Sequence, residues 1–237
     1  MRSIIKYIGI KNINLKDYDI DSYKTYCEPF GGSFNTGMRL LNQGFNGKVV
    51  YNDLDSLIVD FWTAVKTNSN KLYDELEKII NCDIDEIKQL LISDNLYTRA
   101  AAQYIYCEYT TLNGLKKRKI DLQESNIDLY LGNIMLNRVT SEIYNKDYKH
   151  IMRLYNDEST FMFIDPPYIC NSKEKYYRKT DIIHEELCDI LKVSKFKWLL
   201  TYGFNEYILK MYKDFNIREK RRTVCAREYT ELYITNI

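Results

Sequence analysis

The chain has 237 residues, 45% of them hydrophobic, enough to bury the core of one α/β domain plus an insertion. Its 34 basic and 33 acidic residues leave a net charge of +1, which excludes a uniformly basic nucleic-acid-coating surface and makes any phosphate-facing patch local. No stretch is apolar enough to span a bilayer, no signal-peptide core opens the chain, and the six cysteines are scattered without a C-x-x-C pair, so a cytoplasmic protein with reduced thiols is expected.

In chain order, residues 23–28 read as a short strand. Pro29-Phe30-Gly31-Gly32-Ser33-Phe34 follows, then an apolar helical pattern around Met38, Leu40 and Leu41. A strand, a tight glycine turn and a helix form the first unit of a nucleotide-binding α/β sheet. The glycines let backbone amides come close to a ligand, and the amino end of the helix favours polar or anionic groups. Residues 47–53 predict a second strand ending in an acid. Asp53 lies about 20 residues beyond the glycine turn, the spacing at which a carboxylate accepts hydrogen bonds from ribose hydroxyls. The turn lacks the G-x-G-x-x-G pattern, which disfavours a nicotinamide or flavin cofactor. Asp55 precedes a helical run at 56–65 and reads as its N-cap.

Helical patterns continue at 71–80, 84–91 and 97–111 with no strand–helix alternation. They predict a helical insertion over 67–143, between the two parts of a catalytic domain at 1–66 and 144–237. Asn113-Gly114 is a turn signal that places Lys116-Lys117-Arg118-Lys119 on a loop. The sheet resumes near Tyr144, and the apolar run Phe161-Met162-Phe163-Ile164 reads as a buried parallel strand. Pro166 and Pro167 stop that strand at once, since neither donates a backbone hydrogen bond. Asp165 and Tyr168 are thereby held at the carboxyl edge of the sheet, where open α/β folds bind ligands. An acceptor beside a flat ring suits a planar ring bearing an amino group, such as a nucleobase; an Asp capping a Pro-Pro turn is the ordinary alternative. Helices at 185–193 and 205–212 and strands at 197–202, 218–225 and 229–235 complete the chain. A second basic cluster, Arg218, Lys220, Arg221, Arg222 and Arg227, lies on those last strands, where charge also discourages edge pairing. With only His150 and His184 available, no metal site is expected.

Taken together these motifs resemble the Dam-type DNA adenine-N6 methyltransferases, in which the cofactor motif precedes the catalytic one. Lys6-Tyr7-Ile8-Gly9-Ile10-Lys11 is similar to the family's K-W-A-G-G-K, and Glu28-Pro29-Phe30-Gly31-Gly32-Ser33 to its E-P-F-x-G-x-G. Asn52-Asp53-Leu54-Asp55 resembles the acidic second-strand motif, and Asp165-Pro166-Pro167-Tyr168 is the D-P-P-Y. Arg99-Ala100-Ala101 leading into Leu112-Asn113-Gly114-Leu115, and the closing Glu231-Leu232-Tyr233-Ile234-Thr235-Asn236, complete the series in the family's order.

The resemblance implies a Rossmann-like S-adenosylmethionine-dependent methyltransferase sheet flanked by helices, with a mainly helical target-recognition insertion. It implies transfer of a methyl group to N6 of an adenine flipped out of double-stranded DNA. Asp165, Pro166 and Tyr168 would be catalytic. Tyr7, Lys11, Glu28, Phe30, Gly32, Asp53, Asp147, Tyr148 and Asp165 would bind the cofactor. Asn113, Gly114, Lys116, Lys117, Arg118 and Lys119 would face DNA. No metal and no membrane are implied; a cognate restriction endonuclease is a candidate partner. RNA or single-stranded DNA as acceptor, and a non-catalytic DNA-binding descendant, are the rival readings. Two departures stand out: Phe34 takes a position where the family commonly has glycine, and the segment after Leu115 lacks the family's proline-containing hairpin, so the target sequence is left open.

Overall fold

The computed structural model describes residues 4–7, 9, 11, 13–111, 114–115, 120–169, 182–224 and 227–237, with backbone alone at 110, 111, 114, 115, 222–224, 227 and 228. In chain order the elements are β1 (Thr25–Glu28), α1 (Asn35–Asn42), β2 (Lys48–Asn52), α2 (Ser56–Ile79), α3 (Ile84–Leu90) and α4 (Leu96–Tyr109). The two-residue strands β3 (Thr110–Thr111) and β4 (Gly114–Leu115) follow, then α5 (Leu122–Arg138), β5 (Ser141–Tyr144), α6 (Tyr148–Leu154) and β6 (Thr160–Ile164). Last come α7 (His184–Lys192), β7 (Lys197–Gly203), α8 (Glu206–Met211), β8 (Asn216–Val224) and β9 (Arg227–Thr235).

Seven strands form one sheet in the order β5-β2-β1-β6-β7-β9-β8, parallel from β5 to β7 and antiparallel at β9 and β8. Alternation along each strand sends neighbouring side chains to opposite faces. Tyr26, Val49, Phe161 and Phe163 join a core packed by α1, α2, α4 and α5. Their neighbours Cys27, Val50, Met162 and Ile164 join a second core packed by α6, α7 and α8. Burial on both faces explains why Phe161–Ile164 of β6 reads as an unbroken apolar run. The chain leaves β1 for β2 on one side and returns to β6 on the other, so β1 and β6 flank a topological switch point, where a crevice opens beyond the strand ends.

The sequence boundary at 66–67 falls inside α2, just before a kink at Asn68 (φ −160°, ψ 92°), and the one at 143–144 falls inside β5. The kink frees the carbonyls of Val65 and Lys66 from helical partners. Asn133 Nδ2 on α5 donates to both, at 2.8 and 2.9 Å, and Asn137 Nδ2 donates to Lys66 O at 2.9 Å. Asn68 Oδ1 in turn accepts from Lys71 N at 3.0 Å and starts the second half of α2. Neither α5 nor α6 is among the helices that the sequence pattern predicts.

Candidate active site

Glu28 ends β1 at 2% exposure, with Tyr26 Oη donating to its Oε1 at 2.7 Å. The glycine turn that follows is laced to β2: Gly31 N donates to Asn52 O at 2.7 Å, and Asn52 Nδ2 donates to Pro29 O at 2.8 Å. Gly31 has no room for a side chain, because a Cβ there would lie 2.3 Å from the Tyr51 ring. Gly32 adopts φ +46°, and its N–H donates to Asp53 Oδ2 at 2.8 Å; Asp53 Oδ1 accepts from Asp55 N at 2.9 Å. Asp55 caps α2 as expected, accepting from Leu57 N, and its other oxygen accepts from Tyr7 Oη at 3.1 Å. Tyr7 is thereby laid across Gly32, where an added Cβ would come within 3.2 Å of its ring.

The cost and the gain at Phe34 come from different parts of the residue. Its backbone sits at φ +49° before α1, a left-handed conformation that suits the glycine the family carries there. For a bulky residue that conformation costs about 1–2 kcal/mol. Its ring is 1% exposed, packs edge-on to Tyr51 and Trp62 at 5.1 and 5.6 Å, and covers Gly37, where a Cβ would lie 2.3 Å from it. Burial of such a ring is worth about 3–5 kcal/mol on truncation, so packing outweighs the strain.

Beyond β6, Asp165 is the hub of a buried polar cluster. Thr201 Oγ1 on β7 donates to Asp165 Oδ1 at 2.6 Å. Tyr168 Oη lies 3.1 Å from both Asp165 Oδ1 and Glu231 Oε1 on β9. Lys11 Nζ donates to Tyr168 Oη at 2.6 Å, pairs with Glu231, and stands 3.7 Å from Asp165 Oδ1. Glu231 is fully buried, and Tyr233 Oη donates to its second oxygen at 2.9 Å. The Tyr168 ring rests near Gly203 and lies 5.6 Å from Tyr202, tilted by 40°.

A cleft of about 970 Å³, open to solvent, joins these pieces. All nine residues named for the cofactor line it: Tyr7, Lys11, Glu28, Phe30, Gly32, Asp53, Asp147, Tyr148 and Asp165. Phe30 and Tyr148 face each other with centroids 5.0 Å apart. Asp147 also caps α6 by accepting from Lys149 N at 2.7 Å, so the ordinary structural role and the cleft position coexist. Of the catalytic residues, Asp165 reaches the cleft, whereas Pro166 and Tyr168 are not part of its wall. Gly114 lies in β4, paired with Thr111, rather than in the expected Asn-Gly turn. Asn113, Lys116, Lys117, Arg118 and Lys119 lie outside the described residues.

Burial raises three acids around the cleft: Glu28 to about 8, Asp53 to about 6, and Asp165 above its usual value despite the opposing pull of Lys11 and Thr201. At about 8, the Glu28 carboxyl keeps its proton near neutrality and gives it up to solvent when a cationic group docks beside it. Sequence reasoning gave no role to Thr201 and saw Glu231 only as part of a closing strand. The one signal that Glu231 carries is its place as a lone acid opening the apolar strand Leu232-Tyr233-Ile234; its partners are far away in sequence. Among the described residues no group of His, Cys, Asp and Glu is arranged to hold a metal ion, and no helix is long and apolar enough to cross a membrane.

The family model for D12 class N6 adenine-specific DNA methyltransferases matches residues 7–141 and 131–224, nearly the whole chain. The chain is also 25% identical over 234 residues to the type II methyltransferase M.CviBI of Paramecium bursaria Chlorella virus NC1A, covering 91% of this chain and 88% of that one. An acid-lined crevice at the switch point, a D-P-P-Y corner beside it and a family match spanning both lead to one assignment: the chain belongs to the D12 class N6 adenine-specific DNA methyltransferases, enzymes that methylate adenine in DNA.

Proposed function

We propose that the methyl donor is S-adenosylmethionine and that it binds in the cleft at the carboxyl ends of β1, β2 and β6. The observation that carries this reading is the convergence of Glu28, Asp53 and Asp165 on one crevice beside the glycine turn. The donor carries an α-amino group, a ribose and a sulfonium, and each finds a complement in this acid-rich wall. Glu28 would hold the amino end, Asp53 would accept from ribose hydroxyls, and Phe30 and Tyr148 would flank the purine. When bound, the donor would supply a methyl group on positively charged sulfur and leave as the neutral thioether, while the proton lost from the amine passes to solvent.

The protein's own part is to make a poor nucleophile attack. An adenine amine is weak because its lone pair is delocalised into the ring. Hydrogen bonds from its two N–H groups to the Asp165 carboxylate and the Pro166 carbonyl pull the nitrogen toward a tetrahedral shape. Burial makes Asp165 more basic than an ordinary aspartate, so it is the better acceptor and stabilises positive charge as it develops. Holding both reactants in line contributes about 7–11 kcal/mol in favourable cases. Thr201, Lys11 and Glu231 fix the Asp165 rotamer and the Tyr168 hydroxyl, leaving the Tyr168 ring to stack on the base. The target must leave the duplex to arrive here, at a cost of a few kcal/mol. Residues 67–143, which include the basic run at 116–119, are the part we assign to reading the target in double-stranded DNA. A cognate restriction endonuclease fits such an enzyme.

Incubating the protein with methyl-labelled donor and duplex DNA, then digesting to nucleosides, tests this reading. Label in N6-methyladenine is expected. Label in RNA or single-stranded DNA alone would redirect the substrate, and no label with DNA retained would mark a binding protein.

A further inference from the structure

The β8–β9 hairpin outruns the sheet it belongs to. Ile164, which ends β6 next to Asp165, is level with Leu200 of β7 and Ile234 of β9. The last residue of β7, Gly203, pairs with Glu231. Positions 227–230 pair with β8 only, and their partners are 221–224. Four residue pairs therefore extend beyond β7, a reach of about 14 Å at about 3.4 Å per residue. They extend past the carboxyl edge, the edge that carries the catalytic corner. Phe204 N ties the base of this extension to the loop after β7 by donating to Thr230 O at 2.9 Å.

The extension is cationic on a molecule that is nearly neutral overall. Its strands, 221–224 and 227–230, hold Arg221, Arg222 and Arg227 against one acid, Glu228, while Lys220 stands at its base and Arg218 and Glu219 are exposed further down β8. Register places Lys220 opposite Glu231, Arg222 opposite Tyr229, and Arg227 opposite Val224, all on one face of the ribbon. It is the face of Glu231, whose carboxylate touches Lys11 and Tyr168. Moving outward from the catalytic cluster, that face presents Lys220, the half-exposed ring of Tyr229, and then positions 222 and 227.

We infer that this overhanging hairpin is a second DNA-contacting arm, whose Lys220, Arg222 and Arg227 neutralise phosphates of the strand that carries the extruded adenine. The inference rests on the DNA-methylation reading. A base turned out of the stack remains joined to its backbone, so that backbone must run past the mouth of the site. The arm rises from Glu231, beside the catalytic corner, and its register carries the basic positions 220, 222 and 227 outward from there. Phosphate contacts of this kind add affinity without reading sequence.

The test compares the unaltered protein with the Lys220→Ala/Arg222→Ala/Arg227→Ala variant in duplex-DNA binding titrated against salt. Removing three phosphate-neutralising cations lowers the slope of log K against log salt by about 2.7, and Arg222→Lys with Arg227→Lys leaves the slope unchanged. Melting temperature and donor binding, read in parallel, stay at the unaltered values because the arm lies outside both cores. A triple-alanine variant that keeps the full slope overturns the inference. So does one that keeps the slope but dimerises, since the charges would then only guard a sheet edge. If the unaltered protein binds no DNA at all, the methylation reading falls first and the arm with it; retained methylation with an unchanged slope removes the arm alone.

Discussion

Asp165 and Glu28 are both buried acids at strand ends, and their neighbours set them different tasks. Asp165 has Thr201 and Tyr168 on one oxygen and Lys11 nearby, an arrangement that fixes the carboxylate and, among the described residues, leaves its second oxygen to the proposed substrate. Asp165→Asn keeps the shape and removes the charge. It is expected to lower the transfer rate about 10²–10³-fold, as when one preorganised electrostatic partner is removed, while donor binding stays within about tenfold. Single-turnover methylation beside equilibrium donor binding measures the two separately, and a wild-type rate in the variant would remove Asp165 from the chemistry. Glu28 is deeply buried, which raises its carboxyl from 4.5 to about 8 against the opposing hydrogen bond from Tyr26. The folded protein thus keeps a proton that the unfolded chain has already released. Its contribution to stability is complete below about pH 4.5 and is lost as pH rises through about 8. Asp53, raised to about 6, has largely finished titrating by then, so the upper part of the pH 6–8 window reports chiefly on Glu28. The ligand-free protein is expected to melt at lower temperature at pH 8 than at pH 6, and Glu28→Gln to flatten that difference. An undiminished difference in the variant would assign the proton elsewhere.

Among the elements, legibility in the sequence follows burial pattern. β2, β6 and β7 are apolar for most of their length because both faces are covered, and such runs stand out whatever the helices do. The switch-point residues are legible too, since glycines and prolines act through the backbone of their own segment. α5 hid because apolar residues occur all round it: Leu129, Met135 and Leu136 are buried, while Ile127, Tyr130, Leu131 and Ile134 are exposed. With no polar face there is no helical period to detect. α6 is only seven residues long, too short for a period to show. Long-range polar pairs were invisible, as with Glu231 on Lys11 and Asn133 on the α2 kink. The second pair shows what such bonds do for an element. Removing the amide by Asn133→Ala leaves Val65 O without that partner and Lys66 O with Asn137 alone. A stability loss of about 1–3 kcal/mol is expected from an unsatisfied buried acceptor, measurable by urea denaturation. A loss near zero would show that solvent satisfies the kink and that Asn133 is dispensable to it.

At the scale of the whole molecule, a net charge of +1 conflicts with a DNA substrate only if charge is averaged. Counterion release counts phosphates neutralised at the interface, not the protein's sum, so two separated cationic segments on a balanced background suffice. One segment is the hairpin arm beside the catalytic corner. The other is Lys116-Lys117-Arg118-Lys119, which follows β4 in sequence within the residues proposed to read the target. Replacing all four of these residues by alanine is expected to weaken duplex binding and to reduce the salt slope by up to about 3.6, roughly 0.9 for each phosphate no longer neutralised. Cofactor binding is expected to stay unchanged, because the nine residues assigned to the cofactor all lie elsewhere in the chain. Independent segments also predict additivity: combined with the hairpin variant, the 116–119 variant should show the sum of the two slope changes. A 116–119 variant with the wild-type slope would take these residues out of the interface. A combined variant no worse than either alone would mean that both segments serve the same few phosphates, and the duplex would then cross a single cationic patch rather than be held at two ends.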